Sequence, residues 1–490
     1  MLVLLVALGA LLRALYLDRQ SLWFDEGVGL IFSGCEVVSG CLEAMLRTRT
    51  SERFQLLYPL LLHEWRVLFG SGESALRSLS VLFNVAALVI IAATARRVFG
   101  TAHAAWSLAF MALSGFTLVH AQEARPYAFF LMIAAAQLYL ITVAREGSRN
   151  ARLGLYAVTA LAAWAGLFPL LFSVALALAD LADRGLSVET IRRWFIRWLP
   201  AGLLCLPAVL YYGHAAIDMP PDDVLVPRSQ QPLFNAAFLV YGHFVGQTFG
   251  PPVEALRGPA RFDAIIANAP LLAALVAVLT FGAVHGWRLW RAQAWNALTG
   301  ARVLVLTALS YCALLLLFAA LTRHNLLPRH AIALHPLLAL LLPCLITPSP
   351  RGGRPYAGHA FMGALLALNL VSVGRHYFDR TQWKDDYRGA AAYLEQVGEP
   401  QRPVLLLRGL PVLFAYYGYD KMTVVMDPPQ AHVPGVVADA LGDRPELVIV
   451  VNRETDLWPT GWLETTLAPD LRLTRKQELS YFSIYTFVRR

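Results

Sequence analysis

The chemically active side chains fall in three short clusters, separated by long apolar runs. The first is SLWFDEGVG, residues 21–29, in which Asp25 and Glu26 are adjacent behind Leu22, Trp23 and Phe24. Neighbouring carboxylates at the edge of an apolar segment are partly desolvated and repel one another. Both effects raise a carboxyl pKa and make a better proton acceptor at neutral pH. The plainer alternative is a solvated acidic turn beside an interfacial tryptophan, and residue types alone favour it.

The second cluster is HAQEARPYAFF, residues 120–130. Pro126 suits the first turn of a helix, which puts Glu123 and Arg125 at its mouth. Arg125 could pair with Glu123 or with a lipid phosphate; the functional reading is an acid beside an anion binder. The third is TRHNLLPRHAIALHP, residues 322–336, holding Arg323, His324, Arg329 and His330. A guanidinium presents a planar fork of donors matched to phosphate, and histidine adds another donor. Interfacial snorkelling explains Arg323 better, and His335 reads as a packed core histidine.

What positions these clusters is a membrane. Of the 490 residues 57% are hydrophobic and 15% charged, against about 45–50% and about 25% in soluble domains. An ordinary core cannot bury that excess, so lipid must solvate it. The net charge of +8 is spread between apolar runs, as in cytoplasmic loops, and not gathered into a nucleic-acid stripe. Candidate spans lie near 1–17, 79–98, 103–119, 127–144, 152–166, 168–182, 198–213, 263–286, 303–321, 331–347 and 358–374, about eleven in all. The first reads as a retained anchor, lacking a basic n-region and a cleavage site. With the N-terminus cytoplasmic, the inner loops carry Arg96, Arg97, Arg145, Arg149, Arg152, Arg184, Arg192, Arg193 and Arg197. Arg288, Arg291, Arg302, Arg351 and Arg354 follow on the same side. The short outer loops hold Arg125, Arg323 and Arg329, so the positive-inside rule puts all three clusters outside.

The expected division is a transmembrane domain over 1–374, with a large first outer loop at 18–78, and a periplasmic domain over 375–490. In the loop, Leu56, Leu57, Leu60, Leu61, Trp65 and Leu68 form a stripe suited to an interfacial helix. Residues 214–262 read as Pro- and Gly-rich loop with a short helix. In 375–490, DDYRGAAAYLEQV has helical periodicity, and VLLLRG, TVVMD and ELVIVVN look like buried strands, which predicts a small α/β domain. Cys35 and Cys41 would pair in an oxidising compartment or remain two free thiols; spacing does not decide. Cys205, Cys312 and Cys344 read as small buried residues.

The ordered motifs resemble bacterial glycosyltransferases of the GT-C superfamily, in the branch related to protein O-mannosyltransferases and aminoarabinose transferases. LRALYLDRQSLWFDEG resembles the exit of the first span, ESALRSLSVLF the entry to the second, and QEARPYAFFL a Gln-Glu-Ala-Arg-x-Tyr motif opening the fourth. PRHAIALHPLLALLL resembles a late Arg-Tyr-containing span, and DDYRGAAAYL the helix opening the outer domain. The resemblance implies inverting transfer of a sugar from a polyprenyl-phosphate carrier to a lipid, glycan or protein acceptor outside a bacterial inner membrane. It implies Asp25 as general base beside Glu26, and Glu123 as the second motif acid. Arg329 would neutralise the leaving phosphate, with Arg125, Arg53 and His330 as helpers. Gln122, Tyr127 and Tyr58 would contact acceptor or sugar. RFQLLYP, residues 53–59, departs from the family's Pro-Pro-Leu-Tyr-Tyr run. Phe168 to Leu171 replace a Tyr-Thr-His-Tyr patch, and His330 replaces a Tyr.

No nucleotide-binding signature is required for such a donor. A hard divalent metal on Asp25, Glu26 and Glu123 stays open. A polysaccharide ligase or polymerase would depend little on Asp25. A transporter would carry ionisable groups near mid-membrane, where only Arg13 and Asp180 come close.

Overall fold

The computed structural model describes residues 1–218, 232–257, 261–292, 301–322, 325–346, 356–397 and 402–490. Arg323 and His324 lie outside these. The chain divides into two compact units: residues 1–17, 32–249 and 270–374, and residues 18–31, 250–269 and 375–490.

The first unit is helical. It begins with α1 (Leu2–Ala14) and continues in α3 (Val38–Arg47) and α4 (Leu57–Phe69), while most of the intervening α2 (Phe24–Ser33) belongs to the second unit. Then come α5 (Glu73–Phe99), α6 (Thr101–Leu113), α7 (Gly115–Ala121), α8 (Tyr127–Arg145), α9 (Arg149–Ala165), α10 (Leu167–Arg184) and α11 (Val188–Ile217). After α12 (Pro232–Val245), and past short α13 (Val253–Arg257) and α14 (Arg261–Ala267) of the second unit, the long helices resume. These are α15 (Ala269–Arg291), α16 (Ala301–Thr322), α17 (Leu334–Leu341) and α18 (Tyr356–Phe378). Each of the eleven apolar runs coincides with a helix or a pair of helices. Among the described residues six helices, α5, α8, α11, α15, α16 and α18, are long and apolar enough to cross a membrane, or up to eight with the bent pairs α2/α3 and α6/α7. The chain is thus a multi-pass membrane protein. At 13 residues α1, and at 17 α9, are short of the usual length.

Local rules explain the ends. Gly100 closes α5 at φ +93°, its N–H bonded to the Arg96 carbonyl behind Arg96 and Arg97 in the last turn. Between α6 and α7 the axis bends by 56°, and the Ser114 hydroxyl accepts the Thr117 N–H to restart the helix. Gly115 is required at that bend, because a Cβ would collide with the Ser372 hydroxyl. The apolar face of α4 is not the expected leucine stripe. Tyr58, Pro59, Leu62 and His63 are buried, while Leu68 is 72% exposed. Residues 214–262 are also more helical than expected, since the 14-residue α12 runs through the apolar PLFNAAFLVYGHFV.

The second unit is a mixed sheet flanked by α19 (Tyr387–Val397), α20 (Pro411–Tyr416), α21 (Val433–Leu441) and α22 (Trp462–Leu467). Strands β1 (Val404–Arg408), β2 (Thr423–Val424), β3 (Glu446–Asn452), β4 (Leu471–Leu479) and β5 (Phe482–Arg489) are ordered β2-β1-β3-β5-β4. β1 pairs in parallel with β2 and β3, whereas the β4–β5 hairpin adds antiparallel through Ile449↔Tyr485. The central strand is buried from Leu447 to Asn452, as expected of a strand covered on both faces. Leu405, Ile449, Val437, Leu463 and Tyr485 meet in its core.

Candidate functional site

In the first unit the second and third sequence clusters converge. Helix α7 ends at Ala121 and α8 starts at Tyr127, so residues 122–126 form a buried connection, tied to α7 by the Gln122 N–H on Leu118 and to α8 by the Pro126 carbonyl that accepts the Phe130 N–H. His120 and Glu123 sit three residues apart across that end, the spacing that makes helical neighbours. The ring nitrogen Nδ1 of His120 lies 2.9 Å from Oε2 of Glu123, and both residues are almost wholly buried, at 2% and 3% exposure. Tyr127 follows, its ring 5.1 Å from that of His120. The Arg329 guanidinium stands over the opposite partner of this chain, 5.7 Å from the Tyr127 ring centre. Such stacking is a cation–π contact that holds the guanidinium over the ring.

Arg125 and Arg53 are engaged by carboxylates. Arg125 grips Glu52 at 2.9 and 3.4 Å. Arg53 pairs with Asp218 at 3.1 Å. Tyr58 shares a 2.8 Å hydrogen bond with Ser80, whose hydroxyl donates to the Arg125 carbonyl at 3.3 Å. The Gln122 amide donates to the carbonyls of Arg13 and Leu15 at 3.1 and 2.7 Å, capping the end of α1. His330 stacks on Phe168 at 4.8 Å and 7° between planes. Cys35 and Cys41 are free thiols. His335 is fully buried and stacked on Phe110.

Asp25 and Glu26 belong to the second unit, in the first turn of α2, where negative charge suits the helix dipole. Buried Glu26 reaches back to accept the Trp23 N–H at 3.3 Å, a capping role. Asp25 is half-buried. Asp385, buried at 1% exposure, organises the turn before it: its Oδ2 accepts the Phe24 N–H at 3.3 Å, and its carbonyl accepts the Ser21 hydroxyl at 2.7 Å. Arg453 closes the group with a two-point fork on Asp385 at 2.9 Å each. Burial pulls the Arg453 pKa down; Asp385, by charge and hydrogen bond, and then the Asp25 carboxylate push it up, and the net direction is up. Gly27 lets α20 approach, since a Cβ would lie 2.7 Å from Leu413.

His120, Glu52, Asp218, Asp385 and Arg453 are the members that motif reading missed. Only His120 carried a local signal, its spacing from Glu123. The others meet their partners across long stretches of sequence. Among the described residues, no group of three or more His, Cys, Asp or Glu side chains is placed to hold a metal ion.

No family model matches the chain, and no curated protein matches its sequence. Solved structures do. ArnT from Cupriavidus metallidurans in the apo state is similar at TM-score 0.58 and 13% identity, over 99% of this chain and 97% of that one. The same protein bound to undecaprenyl phosphate is similar at TM-score 0.57 and 14% identity, over the same shares of 99% and 97%. The arabinofuranosyltransferase AftD from Mycobacteria gives TM-score 0.49 and 15% identity, over 100% of this chain and 40% of that one. These neighbours are members of the GT-C superfamily. The whole-length likeness to ArnT, at such low identity, establishes that the chain has the GT-C fold.

Proposed function

We propose that the chain is an inverting glycosyltransferase that moves a sugar from a polyprenyl-phosphate carrier to an envelope acceptor on the periplasmic face of a bacterial inner membrane. The observation that carries the reading is the buried cluster Glu123–His120–Tyr127–Arg329, in a chain whose fold is shared with a protein crystallised with undecaprenyl phosphate. Fold alone would be analogy; the cluster supplies chemistry.

The acceptor hydroxyl attacks the anomeric carbon from the face opposite the phosphate. The new C–O bond forms as the C–O bond to the polyprenyl phosphate breaks, and the hydroxyl proton passes to Asp25. Negative charge grows on the departing phosphate, where the preorganised Arg329 guanidinium stabilises it most in a water-poor site. Glu123, oriented by His120, holds a hydroxyl of sugar or acceptor. Tyr127 steadies Arg329. Arg125 and Arg53, each ion-paired, assist at the phosphate with His330, and Tyr58 and Gln122 contact acceptor or sugar. Glu26 positions Asp25 by capping its turn.

The test is the full chain in liposomes, supplied with polyprenyl-phosphate sugar and an envelope extract, with mass spectrometry of released carrier and glycosylated product. Acceptor-dependent release that persists in Asp25→Asn would remove Asp25 from the mechanism and favour a ligase or polymerase.

A further inference from the structure

In the first unit the end of α8, the start of α9, the end of α10 and the early turns of α11 meet in an arginine cluster that no step above uses. Arg145, Arg152, Arg184 and Arg197, with Tyr156 and Trp198, line a small cleft between them. Two of the four are neutralised. Asp180, wholly buried, accepts the Trp198 indole N–H at 3.2 Å and pairs with Arg184 at 2.9 Å and Arg145 at 3.8 Å. Asp183 takes Arg145 and Arg302, and Glu146 takes Arg97.

Among the described residues, neither Arg152 nor Arg197 is in an ion pair. Both are half-buried. Arg197 is repelled by Arg184 and Arg152 and attracted by Asp180, which is already shared. The Tyr156 hydroxyl donates to the Arg197 carbonyl at 2.6 Å and ties α9 to α11 at this point. Arg152 stands in the first turn of α9, which holds no acidic residue, so the helix dipole adds to its charge instead of offsetting it. Guanidinium groups held together without counter-charge repel each other, and an anion shared between them recovers that cost.

The enclosed space is only about 10 Å³, room for one water-sized group. A ligand therefore enters with an oxygen and keeps its body outside. Beside the cleft the surface is apolar: α11 exposes Leu199, Leu203 and Leu206 beyond Arg197, and α9 exposes Leu153. Helix α11 is long and apolar enough to cross a membrane, so a charged head at its end continues into lipid-facing surface.

We infer that this cleft binds the phosphodiester of an anionic phospholipid such as phosphatidylglycerol, with Arg152 and Arg197 as its two-point fork and the acyl chains along α11. A basic pocket between spanning helices suits such a headgroup, whereas a zwitterionic one brings a further cation into the same field. The positive-inside reading puts this end of the helices at the inner leaflet. The inference does not depend on the transferase reading.

The experiment counts lipids retained by the detergent-solubilised full chain in native mass spectrometry, with phosphatidylglycerol or phosphatidylcholine titrated in. Phosphatidylglycerol is expected to bind at least tenfold more tightly than phosphatidylcholine, and to lose at least tenfold in Arg152→Ala/Arg197→Ala. That variant should keep its unfolding midpoint in lipid-free detergent, since no ion pair is broken. Arg152→Lys/Arg197→Lys keeps the charge and loses the fork, so an intermediate affinity is expected; wild-type affinity there would overturn the two-point reading, whatever the stability of the alanine variant. Arg192→Ala/Arg193→Ala removes the same charge from exposed positions of α11 and should bind as wild type does. Equal retention of the two lipids, or equal affinity of wild type and the Arg152→Ala/Arg197→Ala variant, would overturn the site. So would an equal loss in Arg192→Ala/Arg193→Ala, which would mean diffuse attraction, or displacement of the lipid by inorganic phosphate, which would mean that a soluble anion fills the cleft.

Discussion

Arg453 holds Asp385 through a planar fork, Nε and a terminal nitrogen each 2.9 Å from a carboxylate oxygen, and does so from a left-handed backbone at φ +53°. That conformation is rare for a side chain as large as arginine, and it persists only where the surroundings hold it. Here the Arg453 N–H donates to the Tyr481 carbonyl at 2.7 Å, and Tyr481 is itself at φ +62°. The pair secures the turn that presents Asp25.

Arg453→Met should therefore leave a buried carboxylate without its main partner. A loss of about 3–5 kcal/mol is expected, read as a lower unfolding midpoint of the detergent-solubilised chain. Adding Asp385→Asn to that variant should restore part of it. A double variant no more stable than Arg453→Met alone would show that the fork is not the source.

Asp25→Asn should reduce transfer by roughly 10²–10⁴-fold, the range of general-base loss, in a protein that still folds and inserts. Arg329→Ala should weaken polyprenyl-phosphate binding far more than Asp25→Asn does. Equal donor affinity in the two variants would contradict the phosphate role.

His120→Asn and Glu123→Gln each break the same 2.9 Å contact. Because the two act as one unit, transfer should fall by similar factors in each, and the double variant should be hardly worse than either. Independent losses that multiply would mean separate roles.

Glu254 gives a pH test. Its folded pKa is raised above the ordinary 4.5, first by burial and then by Asp385, so the native state holds this proton more tightly than the unfolded chain. The resulting stability is fully present below the unfolded value and is lost as pH rises through the raised one. Glu254→Gln should flatten that part of the pH–stability curve and leave the variant more stable than wild type at neutral pH. Identical curves from about pH 4 to 8 would refute this.

Much of the architecture was legible because apolar helices announce themselves by length, and each run seen in the sequence became helical. The short strands Val404–Arg408 and Glu446–Asn452 were equally plain as continuous buried runs. Strand β4 escaped notice because LRLTRKQEL is polar and half-exposed, leaving no apolar run to see. At the site, Glu123, Tyr127 and Arg329 were visible as residue types beside helix ends. Their partners were not. Glu52 meets Arg125 and Asp385 meets Arg453 only through tertiary folding, and a single sequence holds no trace of pairs so far apart. The bend at Ser114, too, depends on the close approach of Ser372 to Gly115, which no local pattern encodes.

Arg13 carries a consequence for how the chain is made. Its guanidinium is wholly buried, and all of its donors are used: Nε on Asn84, the terminal nitrogens on the carbonyls of Gly9, Met111 and Ala112 and on the Thr117 hydroxyl. Lipid offers no substitute for those acceptors. Until the ribosome has delivered residues 84–117, the opening helix carries a charge that hydrocarbon rejects, so its final seating must wait for α5 to α7. Biogenesis of this protein is thereby tied to the late arrival of its own neighbours, with Gln122 locking the end of α1 once they are in place.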